Sequence, residues 1–151
     1  MADAAPDDQR RAVAAAIRRD DGLVLAVRRP DEPGEELPGV WGLPAVTLRG
    51  GEAPKDGLRR LGREKLGAEL TPLRSLAEGE QRRPDYTLQM TVYEASLVGE
   101  ARLPERTPGA EGTLYEALEW RPAASLRAAA DAGSLCCRLF LEAMADTAEQ
   151  S

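Results

Sequence analysis

Two glycines at positions 50 and 51, a proline at 54 and a glycine at 67 bracket one short stretch of this chain, and they narrow its folds more than anything else in it. Ahead of the pair, residues 41–48 (WGLPAVTL) read as an extended segment passing through a core. Proline suits the first turn of a helix, because its missing N–H would be unsatisfied there anyway. A glycine just past the last periodic residue suits the left-handed stop. The spacing therefore predicts a helix over 54–66. Leu58, Gly62 and Leu66 share one face of it at intervals of one turn. Gly57 and Gly62 each weaken such a helix by roughly 1 kcal/mol relative to alanine, so packing has to hold it. A strand feeding a helix through a tight turn points to a mixed α/β domain.

The rest of the chain fits that class. Residues 12–17 (AVAAAI) form an apolar run, residues 20–22 (DDG) signal a turn, and residues 23–27 (LVLAV) form a second run, which together read as a β-hairpin. A loop with glycine or proline at 30, 33, 34, 38 and 39 follows; connections this long are often functional. Further strands are expected over 73–80, 86–98 and 114–120. In the second of these, Tyr86, Leu88, Met90 and Val92 alternate with polar neighbours. Two helices, 123–132 and 134–145, are divided by Gly133. With 151 residues this makes one domain over 11–146 between tails at 1–10 and 147–151.

Composition excludes several chemistries. There is no histidine, so neither a Ser-His-Asp nor a Cys-His catalytic set exists. The two cysteines, Cys136 and Cys137, are adjacent and supply neither a disulfide framework nor four zinc ligands. Reduced thiols and the lack of an apolar leader fit a cytoplasmic protein. No run approaches the roughly 20 apolar residues of a membrane helix. A net charge of −6 argues against broad nucleic-acid binding, although local arginines can still hold a small phosphorylated ligand.

The bracketed stretch resembles a Nudix box, whose pattern is G-x5-E-x7-R-E-U-x-E-E-x-G-U with U a bulky aliphatic. Glu52, Arg60, Glu64 and Gly67 match its glutamate, arginine, first glutamate of the pair and final glycine. Val46 stands at the first glycine, Leu61 at the glutamate after the arginine, Gly62 at the aliphatic, Lys65 at the last glutamate, and Ala68 at the final aliphatic. The Trp-Gly-Leu-Pro run before the box and the order of elements resemble the family as well.

The resemblance implies an α/β/α sandwich with a mixed sheet. It also implies hydrolysis of a nucleoside diphosphate linked to another moiety, by water attack on a pyrophosphate with Mg²⁺ or Mn²⁺. In the family, carboxylates at i, i+3 and i+4 of the box helix hold the metal through oxygen ligands. Here those positions are Leu61, Glu64 and Lys65, so one carboxylate stands beside a cation.

By resemblance Glu64 is the metal ligand or base, or else a solvated helix carboxylate. Arg60 either orients the box or pairs with Glu64. Glu52 either serves catalysis or caps the helix, whose dipole favours an acid there. Arg28, Trp41 and Lys65 are candidates for contacting substrate; a solvated arginine and a core tryptophan are the plainer readings of the first two. Glu52, Asp56, Glu78 and Glu80 are candidates for compensating metal ligands. The alternative on the same fold is a non-catalytic nucleotide-binding or regulatory module, with Lys65 in place of a metal's charge. A third reading is an interaction domain forming a homodimer through its last helix.

Overall fold

The computed structural model of the chain describes residues 9–29, 39–103 and 115–150. Among these the strands are β1 (Gln9–Ile17), β2 (Val24–Arg28), β3 (Trp41–Gly42), β4 (Ala45–Thr47), β5 (Glu69–Arg82), β6 (Thr87–Val98) and β7 (Ala117–Arg121). The helices are α1 (Pro54–Leu61), continued by a π-helical turn Gly62–Leu66, then α2 (Arg127–Asp131) and α3 (Leu135–Gln150). A four-stranded sheet runs β4-β1-β6-β5 and a three-stranded one β3-β2-β7. The larger sheet is mixed, since β1 is parallel to β6 and antiparallel to β4.

β1 explains the layers. From Ala12 to Ile17 every residue is buried, so the strand has apolar cover on both faces. Val13, Ala15 and Ile17 pack with Leu58, Leu61 and Leu66 of the box helix. Ala12, Ala14 and Ala16 pack with Leu135, Cys137, Leu139 and Phe140 of α3. This is the expected α/β/α sandwich. β6 shows the predicted alternation, with Leu88, Met90 and Val92 buried on the α3 side.

The hairpin reading needs correction. Its turn is present: the Arg19 N–H donates to the Leu23 carbonyl at 2.8 Å, and Gly22 takes a φ of 89° that favours glycine. The two runs nevertheless part into different sheets, joined only by the Arg18–Val24 bridge. Both edges of β1 are occupied by β4 and β6, which leaves β2 to pair with β3 and β7. The segment 41–48 also crosses between sheets. It breaks at buried Leu43 and Pro44, whose carbonyl accepts from Ala15 N–H at 2.9 Å.

Pro54 opens α1 and Gly67 closes the π turn at φ 63°, as the sequence suggests. Gly62 has a packing reason: a Cβ there would lie 2.5 Å from the Ala68 carbonyl oxygen and 3.0 Å from Leu70. β5 is longer than the expected 73–80, and two register irregularities let it follow β6. The described elements reach from Gln9 to Gln150, beyond 11–146 at both ends. Residues 1–8, most of the loop after β2, the connection 104–114 and Ser151 lie outside the described residues.

Candidate functional site

The turn between β4 and α1 brings Glu52 back under the helix. Arg60 donates from Nε to Glu52 Oε2 at 3.0 Å and from Nη2 to Oε1 at 2.9 Å. Its Nη2 also reaches the Thr47 carbonyl at 2.8 Å. The Arg49 N–H donates to Glu52 at 3.0 Å. The Arg60 guanidinium, aided by that N–H, holds the Glu52 carboxyl down at about 2. Both side chains are nearly buried, at 10% and 14% exposure. Glu52 therefore ties the turn to the helix and has its oxygens committed.

Glu64 sits one turn on and is 48% exposed, 3.6 Å from Arg60 and 3.9 Å from Arg49. Lys65 points the other way from solvent. It is 8% exposed, with Nζ 3.4 Å from the Ala45 carbonyl and 5.3 Å from the centre of the Tyr115 ring. Tyr115 is anchored on the same residue, accepting from Ala45 N–H at 2.9 Å and donating to Ala45 O at 3.1 Å. Burial pushes its hydroxyl up to about 12, so it stays protonated. Leu61 is fully buried in the core under α1.

Beside Lys65 opens a cavity of about 390 Å³. Its cationic lining comes from six places in the chain: Arg10 of β1, Arg29 after β2, Arg49 of the turn, Arg60 of α1, Lys65 of the π turn and Arg83 of the β5–β6 connection. No carboxylate is among the described lining residues. Leu88, Met90 and Leu135 supply an apolar floor. Cys136 adds a thiol, which its hydrogen bond to Cys137 and its burial push well above the usual range. Ser134 caps α3, its Oγ accepting from Cys137 N–H at 3.4 Å.

Of the residues singled out from the sequence, the structure gathers Arg60 and Lys65 at the cavity, with Glu52 and Glu64 behind Arg60. It places Arg28 and Trp41 elsewhere, opposite each other on β2 and β3. Arg28 pairs with Glu116 at 2.9 Å, and the Trp41 ring lies 4.6 Å beneath Arg121. Sequence reasoning missed Arg10, Arg49, Arg83 and Tyr115 as neighbours of one space. The parallel register of β1 on β6 puts Arg10 opposite Leu88, and a single sequence does not reveal that pairing.

The candidate compensating ligands do not assemble. Asp56 pairs with Arg59 at 3.2 Å on the solvent side of α1. Glu78 and Glu80 line a separate cavity with Arg11, Gln89 and Tyr93. Among the described residues no three His, Cys, Asp or Glu side chains come together as a metal site. The acids Asp31, Glu32, Glu35 and Glu36 of the long loop lie outside the described residues. Among the described residues no helix is long and apolar enough to cross a membrane.

Known proteins share this architecture. A family model for the NUDIX domain matches residues 8–137. The solution structure of the E. coli ORF135 protein has a TM-score of 0.71 at 22% identity, covering 93% of this chain and 94% of that one. A NUDIX hydrolase from Nitrosomonas europaea has a TM-score of 0.69 at 16% identity, with 95% and 90% covered. A MutT NUDIX hydrolase from Burkholderia pseudomallei has a TM-score of 0.64 at 26% identity, with 85% and 100% covered. A comparison with curated proteins finds no match. The family model covers well over half of the chain, from before β1 to the start of α3, and on that ground the chain belongs to the Nudix family.

Proposed function

We propose that this chain binds the phosphate groups of a nucleotide-type small molecule in the cation-lined cavity beside Lys65. The carrying observation is that lining: six cationic side chains and, among the described residues, no carboxylate. Guanidinium groups suit phosphate oxygens through paired N–H donors, and Lys65 adds a compact charge. The floor of Leu88, Met90 and Leu135 offers an apolar surface to whatever the phosphates carry. Nudix family members act on nucleotide-like small molecules, which agrees with this chemistry.

Nudix hydrolases generally use a divalent metal such as Mg²⁺. When bound, such an ion polarises a pyrophosphate and activates water. The described residues fit it poorly: Leu61 is in the core, Lys65 is a cation, Glu52 is committed to Arg60, and only Glu64 keeps an exposed carboxylate. That donor set supports binding over turnover. Hydrolysis of a nucleoside diphosphate linked to another moiety is the second reading, favoured by family membership and by the retained Glu64. On that reading Mg²⁺ or Mn²⁺ arrives with the substrate. A cytoplasmic location and a homodimer belong to the same proposal. The two free, buried cysteines support the first, and sedimentation with and without nucleotide tests the second.

The test is a panel of nucleoside diphosphate derivatives, each measured for binding by calorimetry and for phosphate release with Mg²⁺ or Mn²⁺. Binding with slow or no release is expected. Fast release abolished by Glu64→Gln would establish the hydrolase reading instead, and no binding by any member would end the proposal.

A further inference from the structure

The cavity's charge pattern goes further than the presence of a ligand, because the family's metal and this chain's donors disagree at one position. Lys65 occupies the box position of a metal-binding glutamate, and it is a buried residue whose ammonium lies against Ala45 O and the Tyr115 ring. It lines the same space as Arg10, Arg29, Arg49, Arg60 and Arg83. A cation fixed there repels a divalent ion at short range. It attracts a phosphate through the same field, and burial limits screening by salt.

We infer that this site recognises a diphosphate directly, without a divalent metal, and that Lys65 supplies the charge a metal ion would otherwise bring. The inference rests on the proposed phosphate binding. It has a consequence that a metal-using site does not share. Mg²⁺ complexed to a diphosphate neutralises part of the ligand's charge and occupies the oxygens that the arginines and Lys65 would contact. Metal-free ligand is then the better ligand, and added Mg²⁺ competes with the protein for it.

The experiment is calorimetric titration of the full chain with ADP and, separately, with inorganic pyrophosphate, in excess EDTA and in excess Mg²⁺. Binding in EDTA is expected for both probes, and Mg²⁺ should weaken it. Lys65→Met should weaken binding in EDTA by about tenfold or more, while Lys65→Arg keeps most of it. Thermal melting of each variant shows whether it remains folded. Lys65→Glu should reverse the sign of the Mg²⁺ effect, because it puts a carboxylate in place of the cation on the cavity wall. Wild-type binding seen only with Mg²⁺ would overturn the inference and leave the proposed phosphate site standing. So would a folded Lys65→Met variant with unchanged affinity in EDTA. No binding under either condition would overturn both.

Discussion

Arg60 clamps Glu52, eight positions earlier in the chain, with two parallel hydrogen bonds at 3.0 and 2.9 Å. The pair joins the turn after β4 to the last turn of α1, and the Thr47 carbonyl at the end of β4 closes the arrangement. It fixes the wall of the cavity on which Arg49 and Lys65 also stand.

Breaking the clamp leaves one nearly buried charge without its partner. Glu52→Gln is expected to lower stability by about 2 kcal/mol, read as a shift of the urea midpoint with an unchanged slope. Arg60→Lys should lower stability as well, since an ammonium makes no paired contact with a carboxylate. A neutral Glu52→Gln would mean that the clamp contributes nothing to the fold.

The same pair sets an acid limb. Glu52 titrates at about 2 in the fold, against 4.5 without its partners. A depressed carboxylate contributes fully above its unfolded value and loses that contribution as pH falls toward the folded one. Wild-type stability should therefore fall between about pH 5 and pH 2, and the fall should be shallower in Glu52→Gln. Glu94, lowered by Arg18 and Arg74, adds to the limb in both proteins, so the difference between them isolates Glu52. Parallel profiles would refute the assignment.

Gly62→Ala sets two effects against each other. Alanine favours a helix by about 1 kcal/mol, but its Cβ would meet the Ala68 carbonyl oxygen at 2.5 Å. A backbone atom yields little, so a net loss of about 1–3 kcal/mol is expected. A stabilised variant would show that the box helix does not dock this closely on β5.

Leu61→Glu would restore a family carboxylate in the wrong surroundings. Leu61 is fully buried among Val13, Ala15, Leu58 and Leu66. Removing its packing and burying an acid should cost about 3 kcal/mol or more. Mg²⁺ should not raise the melting temperature of this variant. Recovery of stability on adding Mg²⁺ would place the side chain in the cavity after all.

Much of the fold was legible because its signals are local. Pro54 and Gly67 mark the box helix, Gly133 divides α2 from α3, and the period of two in β6 marks its buried side. The pairing of β1 was not legible, since the Asp20-Asp21-Gly22 turn looks the same whether its flanking strands share a sheet or separate. For the site, the box located Arg60, Glu52, Glu64 and Lys65. Arg10 and Arg83 reach the cavity only through the register of β1 on β6 and β5 on β6, which depends on the whole sheet. Arg28, a candidate from the sequence, pairs with Glu116, while its neighbour Arg29 lines the cavity.

The parallel ladder between Gln9 and Thr87 has a bearing on how the molecule is made. β1 leaves the ribosome before β6 and lacks its parallel neighbour until β6 follows. At ordinary synthesis rates that wait is on the order of 4–16 s. Throughout it, the alanine-rich strand lacks α3, which follows β6 in the chain, and it gains the box helix only part-way through. Nascent chains stalled before β6 should therefore be the ones that chaperones hold and proteases cut.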